Sequence, residues 1–287
     1  MKREVDMAAL STLAATAAEP GLGVPAGPPG HPVLEADRVE KTYPNGTHAL
    51  NGTTVQIARG EFVSLLGPSG CGKSTLLKMF AGLEVPSSGR IVLHDGHDAA
   101  GRASGHASMA MVFQEATLMP WARVTENVRL PLDLAGMPRP EADRRVAEAL
   151  ELVGLAQFGR SYPRELSGGM QMRASIARAL AVQPSILLMD EPFGALDEFT
   201  RNKLDSDLHK LWEQRGFTVV FVTHSIYEAV FLSSRVVVMA ARPGRVIADV
   251  PIDAPAERDD GYRVSQPFID NCRVLSEHLA RANRGER

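Results

Sequence analysis

Short apolar runs alternate with turn residues along most of the chain. VLEADRVEKTY (33–43) alternates and stops at Pro44, Asn45 and Gly46, which predicts a strand running into a turn. Residues 55–58 and 61–66 predict two strands around Arg59 and Gly60, and Leu66 runs straight into a glycine-rich stretch followed by a helix over 73–81. Further strands are predicted at 91–93 and 109–113. Residues 124–182 read as helical, with Thr125 as one cap, Pro140 opening the next helix and Ser167 capping a third over 168–181. The apolar run 186–189 predicts a buried parallel strand, and Leu204, Leu208 and Leu211 place one stripe on a helix near 200–215. Strands at 217–222 and 235–240 flank a short helix at 225–232. Strands alternating with helices predict an α/β fold whose mostly parallel sheet is covered on both faces.

Two segments fall outside this pattern. Residues 1–32 carry a dense Pro and Gly stretch (19–32) and predict a disordered extension; Glu4 and Asp6 interrupt the Ala-rich part, against a signal peptide. Residues 251–287 predict a short tail with one helix near 264–282. The folded domain is expected over 33–250, with a helical subdomain at about 115–182.

Composition narrows the class. The chain has 287 residues and a formal net charge of −3, so no overall basic field points to nucleic acid. The two cysteines, Cys71 and Cys272, form no disulfide framework and suggest a reducing compartment. No apolar run reaches the roughly 18–20 residues that span a bilayer. His94, His97 and His106 share no helix face and lack an acidic or Cys partner, so they predict a solvated loop, not a metal site.

The chemistry concentrates at two strand ends. Gly67, Pro68, Ser69, Gly70, Cys71, Gly72, Lys73, Ser74 and Thr75 fit G-x-x-x-x-G-K-[ST] between a predicted strand and a predicted helix. The glycines let backbone N–H groups curl around phosphate oxygens, and the helix aims its N-terminal partial charge at them. Lys73 supplies a point charge to the β- and γ-phosphates, and the Ser74 hydroxyl is a ligand for Mg²⁺. Residues 186–189 carry Asp190 to the carboxyl end of a strand, where it would hold Mg²⁺. Glu191 then faces the position of an attacking water as general base. A second anion site opens a long helix at Leu166, Ser167, Gly168, Gly169, Met170 and Gln171. One nucleotide needs only one such cradle. The second suggests a head-to-tail dimer in which ATP is sandwiched between chains; the alternative reading of these residues alone is an ordinary Ser-capped helix start.

In order and spacing these motifs resemble the ATPase subunits of ATP-binding cassette (ABC) transporters over about 33–250. The resemblance implies a P-loop NTPase core with an N-terminal antiparallel β subdomain and a helical subdomain. It implies that residues 67–75 are the Walker A loop, that Asp190 and Glu191 are Walker B and the catalytic carboxylate, and that Ser167, Gly168, Gly169 and Gln171 touch ATP in trans. It further implies that Gln114 reaches Mg²⁺ or the water, that Ala195, Leu196 and Asp197 form the D-loop, that His224 contacts the γ-phosphate, and that Tyr43 stacks on adenine. Met119 to Trp121 and Glu198 to Arg201 resemble importer subunits of the nitrate, sulfonate and taurine type. The implied partners are integral-membrane permease subunits docking near 117–123, a second ATPase subunit, most simply an identical copy, and, indirectly, an external solute-binding protein. The implied place is the cytoplasmic membrane face. The competing expectations are an exporter or a non-transport ATPase of the same family.

Overall fold

The computed structural model describes residues 32–94, 108–194, 196–241 and 243–284. The expectations for 1–31, His97, His106 and Ala195 lie outside the described residues.

The order of elements is β1 (Pro32–Thr42), β2 (His48–Ala58), β3 (Phe62–Leu66), α1 (Lys73–Phe80), β4 (Ser88–Leu93), β5 (Met109–Val112), α2 (Val124–Leu134), α3 (Arg139–Leu152), α4 (Gly168–Ala181), β6 (Ile186–Asp190), α5 (Glu198–Arg215), β7 (Thr218–Thr223), α6 (Ile226–Leu232), β8 (Arg235–Ala240), β9 (Arg245–Pro251), α7 (Asp260–Arg263) and α8 (Gln266–Arg284). Strands β2-β1-β4 make an antiparallel sheet. The larger sheet runs β5-β6-β7-β3-β8-β9, parallel from β5 to β8 and antiparallel only at the edge strand β9.

The central strands FVSLL, ILLMD and TVVFVT are buried along their whole length, as continuous apolar runs must be when both sheet faces are covered. The pleat divides them: Phe62 and Leu66 belong to one apolar cluster, Val63 and Leu65 to the other. Register then sets the site. Leu66 pairs with Thr223 and Asp190 with Val222, so β3, β6 and β7 end together at one edge of the sheet. That edge is where a parallel sheet offers a crevice.

Helices α2 to α4 form the helical part and pack on one another. Thr125 is not the cap of α2. The cap is Arg123, two residues earlier, with Glu126 Oε2 accepting from the Arg123 N–H at 2.7 Å. The Thr125 hydroxyl instead donates to Gly159 O at 2.7 Å, and a Cβ on Gly159 would come within 2.6 Å of it. Strand β9 is an element that the hydrophobic pattern does not mark. RVIADVP alternates poorly and ends on Pro251, and only its pairing with β8 makes it a strand, at an edge that tolerates proline.

The chain after β9 packs into the main core through Ile252, Phe268 and Leu275. Arg258 is buried there. Its guanidinium donates to Val230 O at 3.2 Å, Phe231 O at 2.7 Å and Ser233 O at 3.0 Å, the carbonyls that end α6. A cation at a helix C-terminus satisfies acceptors that have no partner within the helix.

The apolar face of α5 hides two polar residues. His209, 1% exposed, sits against Trp212 and Phe231, and neither ring nitrogen has a hydrogen-bond partner. Burial, with the Arg258 charge adding, pushes its pKa down from 6.5 to about 4. Asp205 is equally buried beside Arg263, and burial, with Glu228 adding, pushes its carboxyl up to about 8. The two act in opposite directions. A depressed histidine contributes stability above pH ~6.5 that is lost as pH falls toward 4, whereas a raised aspartate contributes stability that is lost as pH rises from 4 toward 8. His209→Phe keeps a ring in the pocket and removes the group that must be charged on acid unfolding. We expect the variant to lose about 3 kcal/mol less than wild type between pH 7 and pH 4. Urea unfolding at both pH values checks this, and an unchanged acid loss would assign it elsewhere.

Candidate functional site

The loop between β3 and α1 is shaped by its glycines. Gly70 and Gly72 have φ of 78° and 90°, in the left-handed region. A Cβ on Gly67 would stand 2.4 Å from Met239 O, and one on Gly72 would stand 2.8 Å from Ala49 O. Lys73, 5% exposed, folds back over the loop. Its ammonium donates to Gly67 O at 2.8 Å and Pro68 O at 3.2 Å and lies 3.8 Å from Glu191 Oε1. A buried cation facing backbone carbonyls is set to exchange them for a stronger anionic partner. Cys71 is buried under the loop, and burial pushes its thiol pKa up, against reactivity.

Ser74 is on the first turn of α1, and its hydroxyl donates to Asp190 Oδ1 at 2.7 Å. Asp190 is 4% exposed. Burial raises its pKa, and the Ser74 bond works against that rise. Two hard oxygens side by side, next to a loop built for phosphate, suit a cation that takes its remaining ligands from water and phosphate.

Glu191 is the strained residue of the site. Its φ is 46°, uncommon for a side-chain-bearing residue, and its N–H is tied to Val222 O at 3.0 Å. That backbone turns the carboxylate away from Asp190 toward the next strand end, where Oε2 meets His224 Nδ1 at 3.1 Å. One carboxylate therefore reaches both Lys73 and His224. The His224 ring is mostly exposed and faces the solvent where a nucleotide would enter.

The remaining predicted residues lie farther out. Gln114 stands exposed just past the end of β5, with no hydrogen bond to Ser74, Asp190 or Glu191. Tyr43 is half-buried. Its hydroxyl is 3.2 Å from Thr75 Oγ1 and the Lys41 ammonium lies 5.1 Å from its ring centroid, which puts an aromatic face beside the phosphate loop. Ser167 caps α4, its Oγ accepting from Met170 N at 3.3 Å. A Cβ on Gly169 would stand 2.8 Å from the Leu196 Cδ2 methyl, so the start of α4 lies close against that side chain. The Gln171 amide is occupied, donating to Pro163 O at 3.0 Å and Leu166 O at 3.3 Å, and so braces the turn before Ser167. Asp197 caps α5 through Thr200 N at 3.0 Å, and that bond holds its carboxyl below its usual pKa. Among the described residues no hydrogen bond or ion pair joins 167–171 to 67–75.

Several supporting residues have no sequence motif. Asn127 is fully buried; it accepts from Met119 N at 2.7 Å and donates to Ala122 O at 3.0 Å. It thereby fixes the 119–123 loop so that Trp121 stands 76% exposed. Thr117 has φ 46° and is held by Arg178, whose guanidinium donates to Thr117 O at 2.9 Å. Arg201 and Glu228 pair beneath His224. The Thr117–Arg178 and Arg201–Glu228 partnerships join residues too distant in sequence for any pattern to link them.

A family model described as ABC transporter matches residues 50–194. A taurine import ATP-binding protein from Rhizobium johnstonii is 48% identical over 213 residues, covering 74% of this chain and 79% of that protein. An aliphatic sulfonates import ATP-binding protein from Bacillus cereus is 42% identical over 251 residues, covering 86% of this chain and 96% of that protein. Among solved structures, a dimeric ATP-binding cassette described as a post-hydrolysis state with ADP and Pi aligns with a TM-score of 0.68 at 36% identity, covering 77% of this chain and all (100%) of that one.

Proposed function

This chain belongs to the ABC transporter family as an ATP-binding and ATP-hydrolysing subunit, and from that premise we propose that it drives import of a small sulfonate-bearing solute of the taurine and alkylsulfonate kind. The observation that carries the chemistry is the meeting of Lys73, Asp190, Glu191 and His224 at three adjacent strand ends.

The backbone N–H groups of 67–75 cradle the β- and γ-phosphates, and Lys73 exchanges its carbonyl partners for phosphate oxygens. Tyr43 offers adenine a ring face. Ser74 and Asp190, with Gln114 on closure, would hold Mg²⁺, which neutralises phosphate charge when bound. Glu191 accepts a proton from water as the water oxygen attacks the γ-phosphorus. The bond from that phosphorus to the β–γ bridging oxygen breaks, leaving ADP and inorganic phosphate. His224 holds the γ-phosphate in line while Glu191 is being protonated.

The family works as a dimer on membrane permease subunits. In that dimer the Ser167, Gly168 and Gly169 helix start of one copy faces the nucleotide of the other. This use explains a second anion cradle that meets no phosphate loop in its own chain. The exposed Trp121 and its Asn127-braced loop suit a permease contact at the cytoplasmic membrane face. Among the described residues no helix is long and apolar enough to cross a membrane.

The sulfonate reading rests on the two import relatives. Its test is co-reconstitution of the chain with its permease and solute-binding protein in proteoliposomes. We expect ATP-dependent uptake of taurine or an alkylsulfonate, with turnover rising several-fold when the binding protein is loaded. Hydrolysis without uptake of either solute, or efflux instead, would overturn it.

A further inference from the structure

Thr223 immediately precedes His224 at the end of β7. Its hydroxyl donates to Glu228 Oε2 and accepts from Ser225 N at 2.9 Å. Glu228 lies on α6, its side chain 8% exposed, and its other oxygen is 3.3 Å from Arg201 Nε. Arg201 belongs to α5 and reaches back across the loop that follows Glu191: Nε donates to Phe193 O at 3.3 Å and Nη2 to Leu196 O at 2.8 Å. Glu191 and His224 close the ring through their 3.1 Å contact. Leu196 in turn is the side chain against which Gly169 packs.

The contacts thus form a closed circuit of Glu191, Phe193, Leu196, Arg201, Glu228, Thr223 and His224, with the start of α4 close to Leu196. Arg201 with Glu228 is the charged link that joins α5 to α6 in this circuit. A guanidinium suits this place because its planar fork serves two carbonyls and a carboxylate at once. A buried carboxylate placed here without Arg201 would lack its counter-charge. The helices α5 and α6 also meet through apolar residues.

We propose that the Arg201–Glu228 pair is a positioning device for hydrolysis, which locks the His224 turn to the loop after Glu191 and passes displacement of Leu196, the neighbour of the Gly169 helix start, to the γ-phosphate contact. Neither residue touches nucleotide; both act through Thr223 and through the loop carbonyls. The proposal rests on the ATPase reading above, and it adds two residues and a direction of coupling to it.

The test compares wild type with Glu228→Gln, Arg201→Met, Arg201→Lys and the double variant Arg201→Met/Glu228→Gln. Steady-state ATPase, equilibrium binding of a non-hydrolysable ATP analogue and the NMR resonances of the His224 ring are read for each. We expect kcat to fall at least about tenfold in each of the Glu228→Gln and Arg201→Met proteins while analogue affinity stays within about twofold. The double variant should be no worse than the poorer single, because both break the same link. Arg201→Lys should recover part of the loss, and the His224 resonances should shift in Glu228→Gln even without nucleotide. Multiplying losses, equal losses in affinity and kcat, or an unmoved His224 signal in the isosteric Glu228→Gln protein would overturn the proposal. A wild type that hydrolyses no ATP while its His224 resonances still answer to Glu228→Gln would sink the ATPase reading and leave the coupling standing.

Discussion

Glu191→Gln is expected to bind ATP normally, to hydrolyse it at least about a thousandfold more slowly, and to accumulate as an ATP-bound dimer. The expectation follows from where Glu191 lies. The Glu191 carboxylate meets His224 and makes no hydrogen bond to Ser74 or Asp190 among the described residues, so the substitution removes the proton acceptor while the Ser74–Asp190 pair and the backbone N–H groups of the loop stay in place. A positioned base contributes about 10²–10⁴ in rate, and loss of its charge also upsets the Lys73 and His224 contacts. Dimerisation tests the rest of the scheme. On the proposed scheme the γ-phosphate, while attached, would continue to bridge the loop of one copy and the Ser167 helix start of the other. Single-turnover assays with size-exclusion chromatography, with and without ATP, check both halves. Undiminished turnover would remove Glu191 from its role, and a monomer at saturating ATP, even with the permease present, would remove the shared site.

Lys73→Met is the second large effect, and it acts on binding. The Lys73 ammonium is the only charged side chain hydrogen-bonded to residues 67–72 among the described residues, and it is buried. Hydrogen bonds to charged groups contribute about 1.5–3 kcal/mol each, so losing its phosphate contacts should weaken ATP affinity by roughly a hundredfold. The methionine keeps the stem volume, and the fold should survive: the loop path is set by Gly67, Gly70 and Gly72 and by the Leu76 N–H bond to Gly72 O at 2.9 Å. Isothermal titration with ATP, alongside thermal unfolding, separates the two. Affinity within about threefold of wild type would mean that backbone N–H groups alone hold the phosphates.

The residues just discussed were legible because their information is local. The phosphate loop, Asp190–Glu191 and the Ser167 helix start are each contiguous, and each sits where a strand or helix begins or ends, so a pattern of apolar runs finds them. The same holds for the parallel strands, whose unbroken apolar sequences admit few other uses. Legibility stops where a residue's job is defined by a distant partner. Arg201 and Glu228 look like ordinary charges of two amphipathic helices, and Asn127 looks like any helix polar residue. His209 and Asp205 interrupt an apolar stripe that the pattern treats as complete. Thr125 shows the limit at short range: Thr125 and Glu126 both suit the start of α2, and the choice was made by Gly159, which gives the Thr125 hydroxyl an acceptor more than thirty residues away. Strand β9 failed for the opposite reason, since its pairing with β8 compensates for a weak sequence.

Arg258 joins the segment after β9 to the carbonyl end of α6, the helix that begins just after His224. Translation produces residues 67–75, Glu191 and His224 before it produces this clamp. A nascent chain can therefore own every reacting group and still lack the fastening that steadies one of them, so energy-consuming turnover should switch on late in synthesis, when the arginine has cleared the ribosome and the cassette is ready to meet its membrane partner.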